Sequence, residues 1–219
     1  KQEGISFLLI DMLTPGLEVK PIISIDGGHY LNEVYFTDVK VPVANRIGDE
    51  NLGWTYAKYL LGHERTGIAG VAKSKRKLEK LKEIAGLEQD SGEPLIDDPN
   101  FKSKVAKVGI KLQALEVTNL RTLSAVSAGK SPGDASSILK IRGTELEQEL
   151  NELLMQSIGY YAHPYQPGRL FNQQSNMIPV GGDHSVGLME EHLLRRAASI
   201  YGGSNEIQKN IIAKAIMGL

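Results

Sequence analysis

The sequence predicts an α+β fold in which a partial antiparallel β domain precedes a larger helical bundle. Up to about residue 50, short runs rich in β-branched residues alternate with turn signatures. Beyond that point, apolar residues recur every three or four positions over long stretches. Strands first and helices afterwards are typical of α+β architecture. We therefore expect two domains, residues 1–50 and residues 51–219.

Three strands are predicted in the first domain. They correspond to the runs 5–12, 17–25 and 33–39. Thr14-Pro15-Gly16 separates the first two runs, with Pro and Gly at the central positions of a turn. Asp26-Gly27-Gly28 forms the next turn. The three strands are expected to belong to a barrel or a small sheet.

Five helices are predicted in the second domain. They run from 52 to 85, from 99 to 129, from a cap at Asp134 to about 158, from 188 to 201, and from 205 to 216. Asp98 is the expected N-cap of the second helix and Ser204 that of the last. The long irregular segment 159–187 is typical of a functional or mobile loop. Apolar faces are predicted at Val105, Val108, Leu112, Leu115, Asn119 and Thr122, widened by Leu120 and Leu123, and at Ile138, Ile141, Leu146, Leu150, Leu153 and Leu154.

The composition limits the possible functions. The net charge of −1 gives no reason to expect nucleic acid or an anionic membrane surface as a partner. No apolar run is long enough to cross a membrane. The absence of cysteine excludes disulfides and thiolate catalysis, and we expect a cytoplasmic protein. Because the chain opens on Lys1 without an initiator Met, we also expect it to be cut from a larger protein.

A carboxylate interrupts the apolar stripe of the first predicted helix. Spacings of three and four place Glu64 on one face with Trp54, Ala57, Leu61, Ile68 and Val71. Burial raises the pKa of a glutamate, which suits a general base that takes a weakly acidic C–H proton. Taken alone, the stripe favours a structural carboxylate paired with an arginine, because buried carboxylates mark functional sites only in some cases.

The turn at residues 201–206 is a second candidate site. Gly202 and Gly203 break one helix, and Ser204 caps the next. Backbone N–H groups from Gly203 to Glu206 can bind an anion or an electron-rich ring edge. An ordinary Gly-Gly turn with a Ser cap explains the same residues. No metal site is expected, since the five histidines show no ligand spacing, and no glycine-rich phosphate loop is present.

Three separated motifs resemble the acyl-CoA dehydrogenase family. Residues 200–213, IYGGSNEIQKNIIA, are similar to its C-terminal signature. Residues 34–42, VYFTDVKVP, and 48–54, GDENLGW, resemble its middle β domain and the exit into its helical domain. Residues 32–34, 63–68 and 136–140 are most similar to the bacterial pimeloyl-CoA dehydrogenase large subunit type. The resemblance implies that residues 1–50 are the end of the middle β domain and that residues 51–219 are the C-terminal bundle.

The resemblance implies an FAD-dependent enzyme that converts an acyl-CoA to a 2-enoyl-CoA. A carboxylate removes the α-proton while a hydride passes to the flavin, and an electron-transfer flavoprotein reoxidises the FAD. In most of the family the base follows the Tyr of the C-terminal motif, where this chain has Gly202. Other members carry it on the first long helix in a Glu-Arg pair, which matches Glu64-Arg65. This comparison shifts the interpretation of Glu64 toward the catalytic base, with Arg65 balancing its charge.

The resemblance also assigns cofactor contacts. Gly203, Ser204 and Glu206 match positions near the flavin, and Gln156 with Gly159 resembles a Gln-x-x-Gly stretch that meets FAD from a neighbouring subunit. The family's second Gly is Tyr160 here, and its Arg-x-x-Phe-Gly segment is absent. Because the FAD site of this family is shared between subunits, the resemblance implies a homo-oligomer or a heterotetramer with a homologous subunit. A non-catalytic partner subunit and an acyl-CoA oxidase remain alternatives, and the sequence does not specify the acyl group.

Overall fold

The computed structural model describes residues 2–64, 67, 69–130, 135–170 and 176–218, without the side chains of residues 62–64, 135 and 216. The chain divides into two compact units, residues 1–64 and residues 65–219. Antiparallel strands occur in both units, and long helices dominate the second. The predicted α+β class is confirmed. The predicted boundary at residue 50 stays a prediction.

The first unit contains two separate strand pairs and one helix. Strand β1 (Phe7–Leu8) pairs with β4 (Arg46–Ile47), and β2 (Leu17–Ile23) pairs with β3 (His29–Phe36). Helix α1 covers Gly53–Glu64. The third strand was predicted over 33–39, but β3 begins earlier, at His29, and ends earlier, at Phe36.

The turn before β2 forms as its residues predict. The Leu17 N–H donates to the Thr14 carbonyl at 3.1 Å, and Gly16 has φ of +88°. Pro at the second position and a left-handed Gly at the third define a type II turn. A Cβ on residue 16 would lie 2.1 Å from the Thr37 carbonyl oxygen, so only glycine fits there.

The second unit is built around three long helices. These are α2 (Val71–Leu87), α3 (Pro99–Ser127) and α4 (Ala135–Ser157). Short strands β5 (Gln89–Asp90) and β6 (Glu93–Pro94) form a hairpin between α2 and α3. Helices α5 (Pro167–Leu170), α6 (Leu188–Arg195) and α7 (Asn205–Ile212) follow, and short 3-10 turns interrupt the segment 159–187.

The first predicted helix is not continuous. Helix α1 ends at Glu64 and α2 begins at Val71, after Gly70 in a left-handed conformation with φ of +60°. A left-handed residue cannot lie inside an α-helix, so the chain changes direction at this glycine. Beside it, a Cβ on residue 143 would lie 2.7 Å from the Ala69 carbonyl oxygen. Gly143 therefore lets α4 approach the start of α2 closely.

The core of the second unit follows the predicted periodicity on most positions. Buried members of the predicted stripes are Val105, Val108, Leu112, Leu115, Thr122, Ile141, Leu146, Leu150, Leu153 and Leu154. Leu120, Leu123 and Ile138 were predicted on the same faces but are exposed. Leu120 lies about 110° around α3 from the middle of the buried stripe, whereas Leu123 lies at the same angle as buried Val105, so position around the helix explains the exposure of Leu120 alone.

Both predicted N-caps that the structure describes are confirmed. The Asp98 carboxylate accepts from the Phe101 N–H at 2.7 Å, and Pro99 takes the first helical position. The Ser204 hydroxyl accepts from the Ile207 N–H at 3.3 Å. Asp134, the expected cap of α4, lies outside the described residues. Within the described part of the chain, no helix is long and apolar enough to span a membrane.

Candidate active site

The turn before α7 has the backbone geometry that its glycines predict. Gly202 and Gly203 have φ of +66° and +83°, a left-handed region that favours glycine. Ser204 then starts α7 with its side-chain cap. Glu206 lies in the first helical turn, exposed to solvent. Its own backbone N–H and the Ser204 hydroxyl hold the pKa of the Glu206 carboxyl below its ordinary value.

A buried amide lies directly behind this turn. Gln208 is fully buried, and its Nε2 and Oε1 have no hydrogen-bond partner among the described residues. A Cβ on residue 203 would lie 2.5 Å from Nε2, so the glycine leaves room for the amide. Unsatisfied buried polar atoms are rare in folded proteins and call for a ligand, a water or a functional explanation.

Helix α4 anchors the start of α7 through a buried lysine. The Lys140 Nζ donates to the Asn205 Oδ1 at 2.8 Å, and Lys140 is fully buried. The Thr144 hydroxyl lies 3.3 Å from the same oxygen. Burial lowers the pKa of the Lys140 ammonium, and nearby Glu206 partly offsets this effect.

A cavity of about 590 Å³ lies beside the same elements, within the second unit. Its wall contains Tyr201, which precedes the turn, and Thr144, which contacts Asn205. Its lining also includes the first residues of α2, Val71 to Lys75, and Gly67, Ala69 and Gly70 before them. The C-terminal motif and the segment that follows Glu64 in sequence therefore line one cavity.

Glu147 and Arg195 line this cavity and belong to a cluster of charged side chains on α2, α4 and α6. The Lys77 Nζ lies 3.3 Å from Glu147 and 2.7 Å from Glu191. Arg195 also pairs with Glu147, with 3.2 Å between Nε and Oε1, and its Nη1 lies 3.5 Å from the Tyr201 hydroxyl. Two cations and two carboxylates balance, so this cluster holds the three helices and Tyr201 in place without adding net charge.

Gln156 and Gly159 lie at the other end of α4. Sixteen residues separate Lys140 from Gln156, which corresponds to about 24 Å along a helix. The Gln156 side chain contacts Glu152 and Lys104, and Gly159 has φ of +53° with open space where a Cβ would be. Because Lys140 holds Asn205, these two residues are distant from Ser204 and Glu206 in the same chain.

The predicted base lies at the edge of what the structure describes. Glu64 is the last residue of α1, and its side chain is outside the described set. Arg65 lies outside the described residues altogether. Of the predicted cofactor residues, Gly203, Ser204 and Glu206 share one turn, whereas Gln156 and Gly159 do not join them. The described residues contain no cluster of His, Asp and Glu that could hold a metal ion.

Four residues near the turn were not predicted as site residues. Lys140, Asn205 and Gln208 were noted only as parts of motifs, and Arg195 was not singled out. Membership of the motif 200–213 is the signal that could have identified Asn205 and Gln208. Nothing local in sequence marks Lys140 or Arg195, because their importance depends on contacts with distant residues.

Comparison with known proteins identifies related chains. Residues 51–217 match the family described as "Acyl-CoA dehydrogenase, C-terminal domain". The chain is 34% identical over 226 residues to the acyl-CoA dehydrogenase FadE26 of Mycobacterium tuberculosis, covering 100% of this chain and 53% of that protein. It is 28% identical over 219 residues to the acyl-CoA dehydrogenase IpdE1 of Mycolicibacterium smegmatis, covering 100% of this chain and 50% of that protein.

A solved structure shows the same fold. The ChsE4-ChsE5 complex from Mycobacterium tuberculosis matches with a TM-score of 0.80 and 30% identity, covering 100% of this chain and 54% of that chain. This chain therefore spans about half the length of the relatives it matches.

Proposed function

The chain belongs to the acyl-CoA dehydrogenase family, and from that premise we propose that it is the C-terminal part of an FAD-dependent enzyme that converts an acyl-CoA to a 2-enoyl-CoA. The observation that carries the proposal is the shared cavity. Tyr201 of the C-terminal motif lines it together with residues that follow Glu64 in the sequence, namely Gly67 and the stretch Ala69 to Lys75. The similarity to the pimeloyl-CoA type, and the cytoplasmic location, stay predictions.

Glu64 is the proposed base. Gly202 carries no side chain, so the turn cannot supply a carboxylate at the position used by most of the family. Glu64 precedes Gly67, a cavity residue, by three positions, and three Cα–Cα steps span at most about 11 Å. A glutamate side chain within that reach can remove the acidified α-proton of a thioester. Arg65 is proposed to balance the local charge.

The residues around the turn fit a flavin. Gly202 and Gly203 have no Cβ, so a ligand can approach the backbone of the turn closely. The Ser204 cap fixes the start of α7, where backbone N–H groups can donate to a ligand. The Nε2 and Oε1 atoms of Gln208 have no hydrogen-bond partner among the described residues, and Nε2 lies beside Gly203. This amide can both donate and accept, as a flavin ring edge with acceptors and a donor requires. Bound FAD supplies the hydride acceptor of the reaction. Gly203, Ser204 and Glu206 are the residues of this chain proposed to hold it.

A second copy, or a homologous subunit, is proposed to complete the site. The span of about 24 Å between Lys140 and Gln156 on α4 keeps Gln156 and Gly159 away from the turn of their own chain. Association would bring these two residues to the flavin of a neighbour. The proposed partners are an acyl-CoA substrate, a homologous subunit, and an electron-transfer flavoprotein that reoxidises the FAD.

An anaerobic absorption experiment tests the function. The full-length protein is expected to show a flavin spectrum that bleaches when the correct acyl-CoA from a panel is added. Bleaching identifies the reaction and the acyl class together. A protein that stays colourless after incubation with FAD would contradict the proposal.

The Glu64→Gln substitution tests the base. In the full-length protein we expect FAD to remain bound, while its reduction by acyl-CoA slows by at least about a thousandfold, since a base is lost without a change in size. Glu79→Gln, which removes an exposed carboxylate on α2 that pairs with Lys82, is the control. If acyl-CoA still reduced the FAD of the Glu64→Gln protein at a substantial rate, Glu64 would not be the base.

A non-catalytic partner subunit is the second candidate function. Tyr160 replaces a glycine of the family's cofactor stretch and is 89% exposed, so a bulky ring lies where a close approach to FAD is expected. A full-length protein that stays colourless after incubation with FAD would favour the role of a non-catalytic subunit. Oxygen consumption on adding acyl-CoA would instead indicate an oxidase.

A further inference from the structure

Lys140 is a buried cation that the proposed reaction does not use. Its side chain is fully buried, yet no carboxylate of the described residues lies within ion-pair distance of it. Its bonded partner is the neutral Asn205 amide, with the Nζ 2.8 Å from Oδ1. Burying an ammonium opposite a neutral group is unfavourable, and an apolar side chain of similar length would fill the same space.

The bond has a specific target on α7. Asn205 is the first residue of α7 and directly follows the Ser204 cap. Its Oδ1 receives the Lys140 ammonium and lies 3.3 Å from the Thr144 hydroxyl, which also contacts the Lys140 carbonyl at 2.9 Å. The single Thr144 hydroxyl proton is directed mainly to the nearer Lys140 carbonyl, so the Lys140 ammonium is the principal donor to Asn205 and ties the first residue of α7 to α4.

The groups that face Lys140 are limited. Asn205 and exposed Glu206 approach it from α7, and Thr144 approaches it from its own helix. The adjacent N-terminus of α7 is itself positive. The ammonium therefore adds positive charge on the interior side of the N-terminus of α7.

We propose that Lys140 is a positioning residue that, through Asn205, fixes the turn 202–206 in the geometry that binds the flavin. The flavin part of this inference rests on the proposed function. The positioning part does not, because the contacts between α4 and α7 exist in this chain regardless of any ligand. Lys140 touches neither the cofactor nor the substrate in this role.

Amide hydrogen exchange and FAD titration of the full-length protein test the proposal. Lys140→Met keeps the length of the side chain and removes the donor. Within residues 203–207 the Ile207 N–H is hydrogen-bonded, to the Ser204 hydroxyl, and its exchange is the one followed. We expect this exchange to accelerate by at least about tenfold, and the FAD dissociation constant to rise by a similar factor, since a bond from a charged donor is lost. Amides in the middle of α3 should keep their rates.

Lys111→Met is the matched control. Lys111 is an exposed lysine that pairs with Glu149 at 2.7 Å, so its loss removes a charge far from the turn. We expect no change in either measurement. Equal acceleration at 203–207 in this variant would overturn the proposal.

A double variant covers the case in which Lys140→Met does not fold. Lys140→Met combined with Asn205→Leu replaces both partners by apolar groups, which avoids an unpaired buried atom. We expect this protein to fold, with fast exchange at 203–207 and weak FAD binding. Wild-type exchange in the folded variant would overturn the positioning role.

The two measurements separate the two proposals. A wild-type protein that binds no FAD contradicts the proposed function, while exchange at 203–207 still decides the role of Lys140. Fast exchange combined with an unchanged FAD dissociation constant would overturn the flavin part of the inference alone.

Discussion

At the scale of single residues, the site depends on polar groups at the start of α7. Ser204 and Glu206 act on exposed backbone N–H groups. Asn205 and Gln208 face inward, and both are buried. The first turn of α7 therefore places Ser204 and Glu206 at the helix end and Asn205 and Gln208 in the interior.

Lowering the pH should decrease the free energy of unfolding, because the Glu206 carboxylate becomes protonated. Its folded pKa is depressed, so its stabilising contribution is present above the unfolded pKa of about 4.3 and is lost as the pH falls through the folded value. Glu206→Gln should lack this part of the pH dependence. Urea titrations between pH 3 and 7 should show the largest wild-type advantage near neutrality and a smaller one at the acid end. Glu83→Gln, in the middle of α2, is the control, and an advantage that does not decrease towards acid pH would contradict the prediction.

The contribution of the Ser204 cap to the free energy of unfolding should be measurable. Ser204→Ala removes the acceptor for the Ile207 N–H and is expected to lower the free energy of unfolding by about 1 kcal/mol. Ser204→Asp keeps an acceptor at the cap and should restore most of that loss. Denaturant titration checks both variants. An alanine variant as stable as wild type would show that solvent satisfies the N–H equally well.

At the scale of elements, close packing of α4 against the start of α2 shapes the cavity. Gly143 and Ala69 meet backbone to backbone, and both lie beside the cavity wall. The pairs of Lys77 and Arg195 with Glu147 tie α2 and α6 to the same face of α4. The position of α4 thus determines both the cavity and the turn.

Gly143→Ala should disturb this packing. The added Cβ would meet the Ala69 carbonyl oxygen at 2.7 Å and its Cα at 3.0 Å, and backbone atoms cannot rotate away. We expect a loss of about 1–3 kcal/mol in the free energy of unfolding. Gly109→Ala on α3 is the matched control, because its Cβ would meet only Leu78 at 3.9 Å. That variant should gain about 0.5–1 kcal/mol from helix propensity, and equal effects at the two sites would contradict the packing argument.

At the scale of the whole molecule, α3 carries an apolar face that the rest of the second unit leaves uncovered. Ile110, Val117 and Leu120 are more than half exposed and lie on one side of the helix. Exposed apolar rows of this kind are typical of protein interfaces. They support the proposal that two subunits associate through the helical bundle.

Charges on this face should weaken self-association. We expect Val117→Lys combined with Leu120→Lys to raise the subunit dissociation constant by at least about tenfold in sedimentation of the full-length protein, because the cations must be buried. Ile178→Lys, an 89% exposed position outside α3, should have no effect. A strictly monomeric wild type would contradict the association itself.

Local sequence determined much of this protein. The Asp98 and Ser204 caps and the turn at Gly16 were predictable because each depends on contacts within about three residues. The α+β class and the core faces of α3 and α4 followed from periodicity, which depends only on helix geometry. Family membership followed from motifs read directly in the sequence.

Only the tertiary structure decided what lies around the turn. Lys140 and Asn205 are 65 residues apart, so their bond depends on how α4 and α7 pack and not on either local pattern. The break at Gly70 and the approach of Gly143 to Ala69 likewise depend on backbone contacts between distant segments. Exposure of Leu123 had the same origin, since it lies at the angle of buried Val105 on α3, and periodicity gives a face of a helix but not its neighbour. Helix ends are set by hydrogen bonds to nearby residues, whereas a site is set by the packing of helices far apart in sequence.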